Sequence, residues 1–372
     1  MAKQHTESAF EATIETHLLA NGWHKGEPSF YRVDLGFDTY ELLQFVHATQ
    51  PDKWDQLVGL RGGQDKAQQM FNKRVADEID SRGPIHVLRQ GVEDMGLHFD
   101  LAYFAPAHRI TADLWDLYDQ NRLTVTRQVH HSESNPHDSV DVLLLVNGFP
   151  VATAELKNQI TGQGVKQAQT QYESDRNPND LLFRGRSLVH FAADQDLVMM
   201  TTRLAKEKTD WLPFNQGSGG PGQMGGKGNP ANPGSYKTAY LWEQVWQRDA
   251  WLDILGAFVS EDTGGKHVTK IKAHQRRYIF PRFHQWHAVR ELVGHAKGYG
   301  PGYNYLAQHS TGSGKSNTIA WLAQRLSTLH TSDEASGLSP GAVRARSVRA
   351  LARLREGLLD PAQFVDHSGE RS

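Results

Sequence analysis

VDVLLLVNGFPVATAELK, residues 140–157, is the stretch that decides the fold. VDVLLLV (140–146) is a nearly continuous apolar run of strand length, interrupted by the carboxylate of Asp141. Asn147-Gly148 is a strong hairpin signal, and VATAELK (151–157) is the returning strand. A buried, unpaired carboxylate is costly, so Asp141 needs a cation or a metal as partner. Glu155 and Lys157 lie two apart on a strand and therefore share a face. A three-residue loop, Asn147-Gly148-Phe149, pairs Val146 with Pro150 and sets Asp141 opposite Glu155. A two-residue loop opposes Asp141 to Ala154 on the other face, unless a bulge corrects the register. The three-residue register is the expectation. It gathers two carboxylates and a lysine at one point, a set suited to Mg²⁺ through oxygen ligands. Such an ion activates water and neutralises phosphodiester charge, while the lysine positions the water or stabilises the transition state. For these three residues alone, a salt-bridged Glu–Lys pair on a sheet face is the plainer reading.

Outward from the hairpin, TVTRQV (124–129) alternates as a strand, and the polar HHSESNPHDS that follows is a loop. His130, His131 and His137 lack a fixed ligand spacing and read as ordinary loop histidines. Residues 162–175 predict a helix with Val165, Ala168 and Tyr172 on one face; 187–192 and 197–202 predict further strands. Near the start, Phe10, Ile14 and Leu18 mark one stripe of a helix capped at Thr6 or Ser8 and stopped by Asn21-Gly22. Glu11 and Glu15 share a face there, as a solvated stripe or as acids for a metal. Residues 40–130 read as mixed helices and short strands. QGSGGPGQMGGKGNPANPGS (216–235) holds eight glycines and three prolines, so a flexible excursion is expected, with Lys227 its only cation. Residues 240–259 read as a Trp-rich helix. From about 266 the sequence turns basic, which places a boundary near Gly264-Gly265.

Of 372 residues, 40 are basic and 42 acidic, and a 38% apolar, 22% charged composition excludes global disorder. A length above about 300 residues predicts one large domain plus part of another. With no cysteine there is neither a disulfide framework, nor thiolate chemistry, nor a cysteine zinc site. No run approaches the roughly 18 apolar residues of a membrane span, and MAKQHTESAF lacks a signal-peptide core. A soluble, cytoplasmic protein without membrane contact is expected.

The run NRLTVTRQVHHSESNPHDSVDVLLLVNGFPVATAELKNQITGQ resembles the N-terminal nuclease domain of type I restriction enzyme R subunits, a PD-(D/E)xK nuclease. LVHFAADQDLVMMTTRL, AYLWEQVWQRDAWLDILGAFV and IFPRFHQWHAVRELV extend the likeness over roughly residues 8–330. The resemblance implies an α/β fold with a mixed sheet flanked by helices. Asp141 and Glu155 are then metal ligands, and Asp141, Glu155 and Lys157 form the catalytic set. Related nucleases carry Q-x3-Y on the next helix. Tyr172 fits, but Ala168 stands four before it, which leaves Gln171-Tyr172 as the catalytic remnant beside Gln167 and Gln169. A first-helix acid is also implied, Glu11 or Glu15, with Glu15 taken as the metal ligand.

STGSGKS (310–316) resembles the Walker A loop of superfamily 2 helicases, with His309 where the general pattern has glycine. A strand (YLAQHS) before it and a helix (NTIAWLAQRL) after it are expected. The ATP-binding residues implied are Thr311, Gly312, Ser313, Gly314, Lys315 and Ser316. Backbone N–H groups cradle phosphates, Lys315 reaches the β/γ oxygens and Ser316 ligates Mg²⁺. Gln285 resembles the adenine-reading glutamine of such motors. The expected organisation is a nuclease domain (1–265), the start of an incomplete RecA-like P-loop domain (266–330), and an atypical tail (331–372). That tail has six arginines and no lysine, reading as a frameshifted or truncated end, or as a basic helix. Without later motor elements, useful ATP hydrolysis is not expected. The implied function is Mg²⁺-dependent cleavage of double-stranded DNA by an R subunit, coupled in the family to ATP-driven translocation. The implied partners are methyltransferase and specificity subunits; an inactive DNA- or methyltransferase-binding remnant is the alternative.

Overall fold

The 140–157 stretch forms the central hairpin of a seven-stranded sheet in the computed structural model. The structure describes residues 7–106, 112–158, 162–272, 275–300, 303–309 and 312–327. The chain divides into two compact units, Met1–His284 and Gln285–Ser372.

The first unit opens with α1 (Glu7–Ala20) and β1 (His24–Lys25), then a small ribbon of β2 (Tyr31–Arg32) and β3 (Phe37–Asp38). Four helices follow: α2 (Thr39–Thr49), α3 (Pro51–Arg61), α4 (Gln64–Arg82) and α5 (Pro84–Gln90). A second ribbon, β4 (Val92–Asp94) and β5 (Leu97–Phe99), and α6 (Ala112–Asp119) lead into the sheet. Its strands are β6 (Leu123–His130), β7 (Ser139–Val146) and β8 (Phe149–Leu156), then α7 (Val165–Thr170) and α8 (Leu181–Gly185). The sheet continues with β9 (Val189–Ala193), β10 (Val198–Thr201) and β11 (Leu212–Pro213). The order is β1-β6-β7-β8-β9-β10-β11, with β1/β6 and β8/β9 parallel and the other pairs antiparallel. This is a mixed α/β architecture, with α1 packed on β1, β6 and β8, and α7 on β8, β9 and β10.

Alternation along the strands builds two cores. Leu143, Leu145 and Ala192 pack with Ala168, Tyr172, Leu182 and Phe183. Phe191, one residue before Ala192, faces the other way and meets Phe214, Trp246 and Phe280 edge-on. On α1, the stripe Phe10, Ile14 and Leu18 is fully buried as its spacing predicts.

Three expectations change. The Trp-rich segment is broken: π-helical turns Leu241–Val245 and Ile254–Phe258 flank α9 (Arg248–Asp253). Gln247 stands in extended backbone and its side chain accepts from Ala250 N–H, so it ends one helical piece and caps the next. The glycine-rich excursion is a hydrogen-bonded hairpin, with Gly217 N–H donating to Gly228 O at 2.8 Å and Ser218 N–H to Gly226 O at 3.0 Å. The Gly264-Gly265 pair lies inside the first unit, between β12 (Ser260–Glu261) and β13 (Tyr278–Ile279), which pair antiparallel. The buried Arg276–Glu261 ion pair at 2.7 Å and the buried Phe280 fasten the segment beyond the glycines to that unit.

α10 (Phe283–Tyr299) runs across the division, and α11 (Lys315–Ser327) belongs to the second unit. Residues 303–309 form no strand, contrary to expectation; the described residues of that unit include no second strand for them to pair with. The tail, 331–372, lies outside the described residues.

Candidate active site

The turn of the hairpin has two residues, not three. Val146 pairs with Phe149 and Leu145 with Pro150, and Asn147 and Gly148 both have positive φ, 51° and 84°. A Cβ on Gly148 would lie 2.2 Å from the Asp38 carbonyl oxygen, so only glycine fits. Asn147 accepts from Arg122 N–H at 2.7 Å and donates to Leu101 O at 2.9 Å, which holds its strained backbone. The register then shifts. Leu145 pairs with Pro150 but Leu144 with Ala152, leaving Val151 as the extra residue of a bulge beside a proline that has no N–H to give the ladder. Past the bulge Val142 pairs with Ala154, so Asp141 continues the register opposite Glu155 after all.

Asp141 Oδ2 accepts the Leu156 N–H at 2.8 Å, and its Oδ1 accepts from the Gln128 amide at 3.2 Å. Glu155 is 0% exposed; its Oε1 accepts from Arg176 Nε at 2.8 Å, while Oε2 receives no hydrogen bond among the described residues. Burial first, and the Asp141 charge second, push the Glu155 carboxyl well above its ordinary range. Lys157 Nζ reaches Glu7 Oε1 on α1 at 2.5 Å. The two carboxylates therefore meet at one end of β7 and β8, and Lys157, two residues on from Glu155, turns to the first turn of α1.

From α1, the acid that approaches is Glu11. The Gln128 amide nitrogen lies 3.2 Å from Glu11 Oε1 and also 3.2 Å from Asp141 Oδ1, bridging the two carboxylates. Burial and the charge of Asp141 raise the Glu11 carboxyl above its usual value. Glu15, one turn on, is held by Arg127 at 3.2 Å, and Arg127 binds Glu11 as well, at 2.9 Å. Adjacent strand residues ordinarily face opposite ways. Arg127 and Gln128 both reach Glu11 because Gln128 has φ 53°, a left-handed conformation costing about 1–2 kcal/mol in a non-glycine residue.

Tyr172 is fully buried; its hydroxyl hydrogen-bonds Thr153 Oγ1 at 2.7 Å, and Thr153 continues to His190 Nδ1 at 2.8 Å. It packs beneath β8 in the core beside the site. Gln171 begins the π-helical turn Gln171–Asp175, and its carbonyl accepts from Arg176 N–H at 3.2 Å. Gln171 thus joins the site through the backbone of Arg176. Sequence reading missed Arg176, Gln128 and Arg127. The only signal was indirect: Asp141 and Glu155 in apolar strands demanded buried donors, without naming them.

The donors suit a hard cation. Two carboxylates converge, one with an unoccupied buried oxygen, and Mg²⁺ characteristically takes one or two carboxylates and completes its shell with water and phosphate. Among the described residues, no group of three acidic, histidine or cysteine side chains forms a ready-made metal cage.

In the second unit, Gly312 and Gly314 have φ 77° and 80°, and α11 starts at Lys315 with Ser316 in its first turn. Gly314 O accepts from the Gln285 amide at 2.8 Å and from Asn317 N–H at 3.0 Å. Lys315 Nζ donates to His309 O at 3.2 Å, and Ser313 is buried. A glycine turn opening a helix N-terminus presents N–H groups to an anion. Thr311 lies outside the described residues.

Residues 72–209 match the family model of the type I restriction enzyme R protein N terminus. The matched segment holds β6 to β10 and with them Asp141, Glu155, Lys157 and Arg176. No curated protein matches the chain. Among the described residues no helix is long and apolar enough to cross a membrane.

Proposed function

We propose that this chain is a Mg²⁺-dependent endonuclease of double-stranded DNA, acting as the R subunit of a type I restriction system. The observation that supports this best is the bulged hairpin, which phases Asp141 against Glu155 with Lys157 two residues on, inside the segment that matches the R-protein family. Asp141 and Glu155 would hold the ion, with Glu11 next to them across the Gln128 amide. The chemistry supplied by bound Mg²⁺ is a lowered water pKa and neutralised phosphodiester charge. Lys157, released from Glu7 when a phosphate arrives, holds the attacking water or the developing negative charge. Arg176 fixes the Glu155 carboxylate through Oε1, and Oε2, buried and without a hydrogen-bond partner among the described residues, would be the oxygen left for the ion.

The glycine loop at 312–316 supports ATP binding in a superfamily 2 motor, with Gln285 buttressing the loop through Gly314. Methyltransferase and specificity subunits are the partners this reading implies. The test is nicking of supercoiled plasmid by the purified chain in Mg²⁺ and in EDTA, alongside Lys157→Ala. Cleavage is expected only for wild type with Mg²⁺. DNA binding without cleavage in every sample would instead favour a binding module.

A further inference from the structure

The hairpin at 216–229 carries an interaction surface that the nuclease site does not use. Its base is fixed: Asn229 Nδ2 donates to Asp196 O at 2.8 Å and Asn215 Oδ1 at 2.9 Å, and Gln216 N–H to Asn229 Oδ1 at 2.8 Å. Gly226 N–H donates to Ser218 Oγ at 2.7 Å, closing the ladder below the tip. Above that point the arms are mostly glycine backbone in close contact, with Pro221, Gln223 and Met224 the side chains between Gly219 and Gly225. A Cβ on Gly219 would fall 2.2 Å from Met224 O, and one on Gly225 2.4 Å from Gly219 N. At the tip, Met224 is 98% exposed, the most exposed large apolar side chain among the described residues.

The segment is weakly basic, with Lys227 and Lys237 the charged residues of 211–242. No acidic residue occurs from Trp211 to Trp242, Lys227 stands exposed on the returning arm, and Asp196 at the base is neutralised by Lys237 at 3.0 Å. The hairpin leaves the sheet at the end where Lys157 sits: Leu156 pairs with Ala193, Ala193 with Val198, and Phe214 N–H donates to Val198 O at 3.0 Å. From β8 to β11 is three strand spacings, about 14 Å, or roughly four base pairs of duplex at ~3.4 Å each.

We propose that this hairpin enters the minor groove of the DNA duplex, with Met224 as an apolar wedge between base pairs and Lys227 on a flanking phosphate. The proposal rests on the DNA-nuclease reading and names the second contact of that substrate. A ribbon made mostly of glycine suits a groove ~6 Å wide that excludes a helix some 10 Å across. An unbranched thioether at the tip is among the side chains that part base steps. Glycines at 217, 220, 222 and 228 have positive φ, so the thin shape is built into the chain.

The experiment uses the full chain in EDTA with a short duplex carrying 2-aminopurine at successive positions, read by fluorescence and by anisotropy. Wild type should raise 2-aminopurine emission at one step or two adjacent steps. Met224→Ser should abolish that rise and weaken binding about fivefold to tenfold, with an unchanged circular dichroism spectrum. Lys227→Ala should keep the rise, weaken binding and lower the salt slope by about one. A minor-groove ligand such as netropsin should compete with wild type more than with Met224→Ser. Absence of any rise, or a Met224→Ser protein that binds and unstacks like wild type, overturns the proposal and leaves the tip for a protein partner. Plasmid cleavage in Mg²⁺ is scored separately: cleavage with silent 2-aminopurine sinks the hairpin alone, and a Met224-dependent rise without cleavage sinks the nuclease reading alone.

Discussion

Arg176 is the residue on which the charge balance of the site turns. It is buried, donates to Glu155 at 2.8 Å and to Ser139 O at 2.6 Å, and is the one cation paired with Glu155 among the described residues. Removing one partner of a buried pair strands the other, so Arg176→Met is expected to cost about 3 kcal/mol in urea unfolding. Adding Glu155→Gln should recover most of that loss, because the stranded charge disappears too; a double variant as unstable as the single would show that Arg176 acts through packing alone. Asp141→Ala and Glu155→Gln are each expected to abolish cleavage while DNA affinity, carried mainly by Lys and Arg contacts to phosphate, stays within about twofold. Full Mg²⁺-dependent activity in both would remove them from the site. Asp141, Glu155 and Lys157 were legible because a carboxylate in an apolar strand is conspicuous, and strand alternation tells which neighbours share its face. Arg176 and Gln128 were not, since one lies past a π-helical turn and the other breaks alternation with a positive φ, and neither leaves a periodic trace.

At the level of the element, the hairpin was predicted with the right strands and the wrong turn. The Asn-Gly pair did form a two-residue turn, and the phase was rescued by the bulge at Val151, a compensation that turn chemistry alone does not announce. Deleting Val151 should therefore regularise the ladder, since Ala152 then follows Pro150 directly and Asp141 stays opposite Glu155. The expected product is folded and keeps Mg²⁺-dependent cleavage, and a folded but inactive product would disprove the phasing argument. Gly148→Ala, with its Cβ driven against the Asp38 carbonyl, should lower stability by at least about 2 kcal/mol. The neighbouring strand β9 contributes a pH dependence. Burial lowers the His190 imidazole to about 3, so folded protein resists the proton that the unfolded chain accepts near pH 6.5. Stability tied to His190 is thus intact above about pH 6.5 and declines as pH falls toward 3; near pH 5 the loss is about 2 kcal/mol. Thermal melts of wild type and His190→Gln should converge as the pH is lowered through that window. A constant gap between them would contradict it.

For the whole molecule, composition and periodicity indicated an α/β chain of more than one unit, and the described residues agree in class. What composition misplaced was the end of the first unit. The glycine pair at 264–265 looks like a linker, but the next residues return as β13, with Tyr278 O accepting from Thr202 at 2.9 Å and Phe280 against Trp251 at 6.0 Å. A fragment ending at Gly265 should accordingly melt lower and less cooperatively than one ending at Gly300; equal melting would return the boundary to the glycines. The same closure has a temporal side. Trp23 donates to Trp246 O at 2.9 Å across 223 residues of sequence, and Phe10 lies edge-on to Trp242 at 5.8 Å. The helix that brings Glu7 and Glu11 to the carboxylates is therefore clasped by a segment made a hundred residues after them. On a ribosome, the hairpin would emerge first and wait, its acids gathered but their helical neighbour unsecured, until the Trp-rich segment followed. Native pairings of such long sequence separation form late and slowly. A nascent chain would thus carry an unclosed site over the roughly ninety residues that separate Lys157 from Trp246, and closure would arrive with the Trp-rich segment rather than with the hairpin.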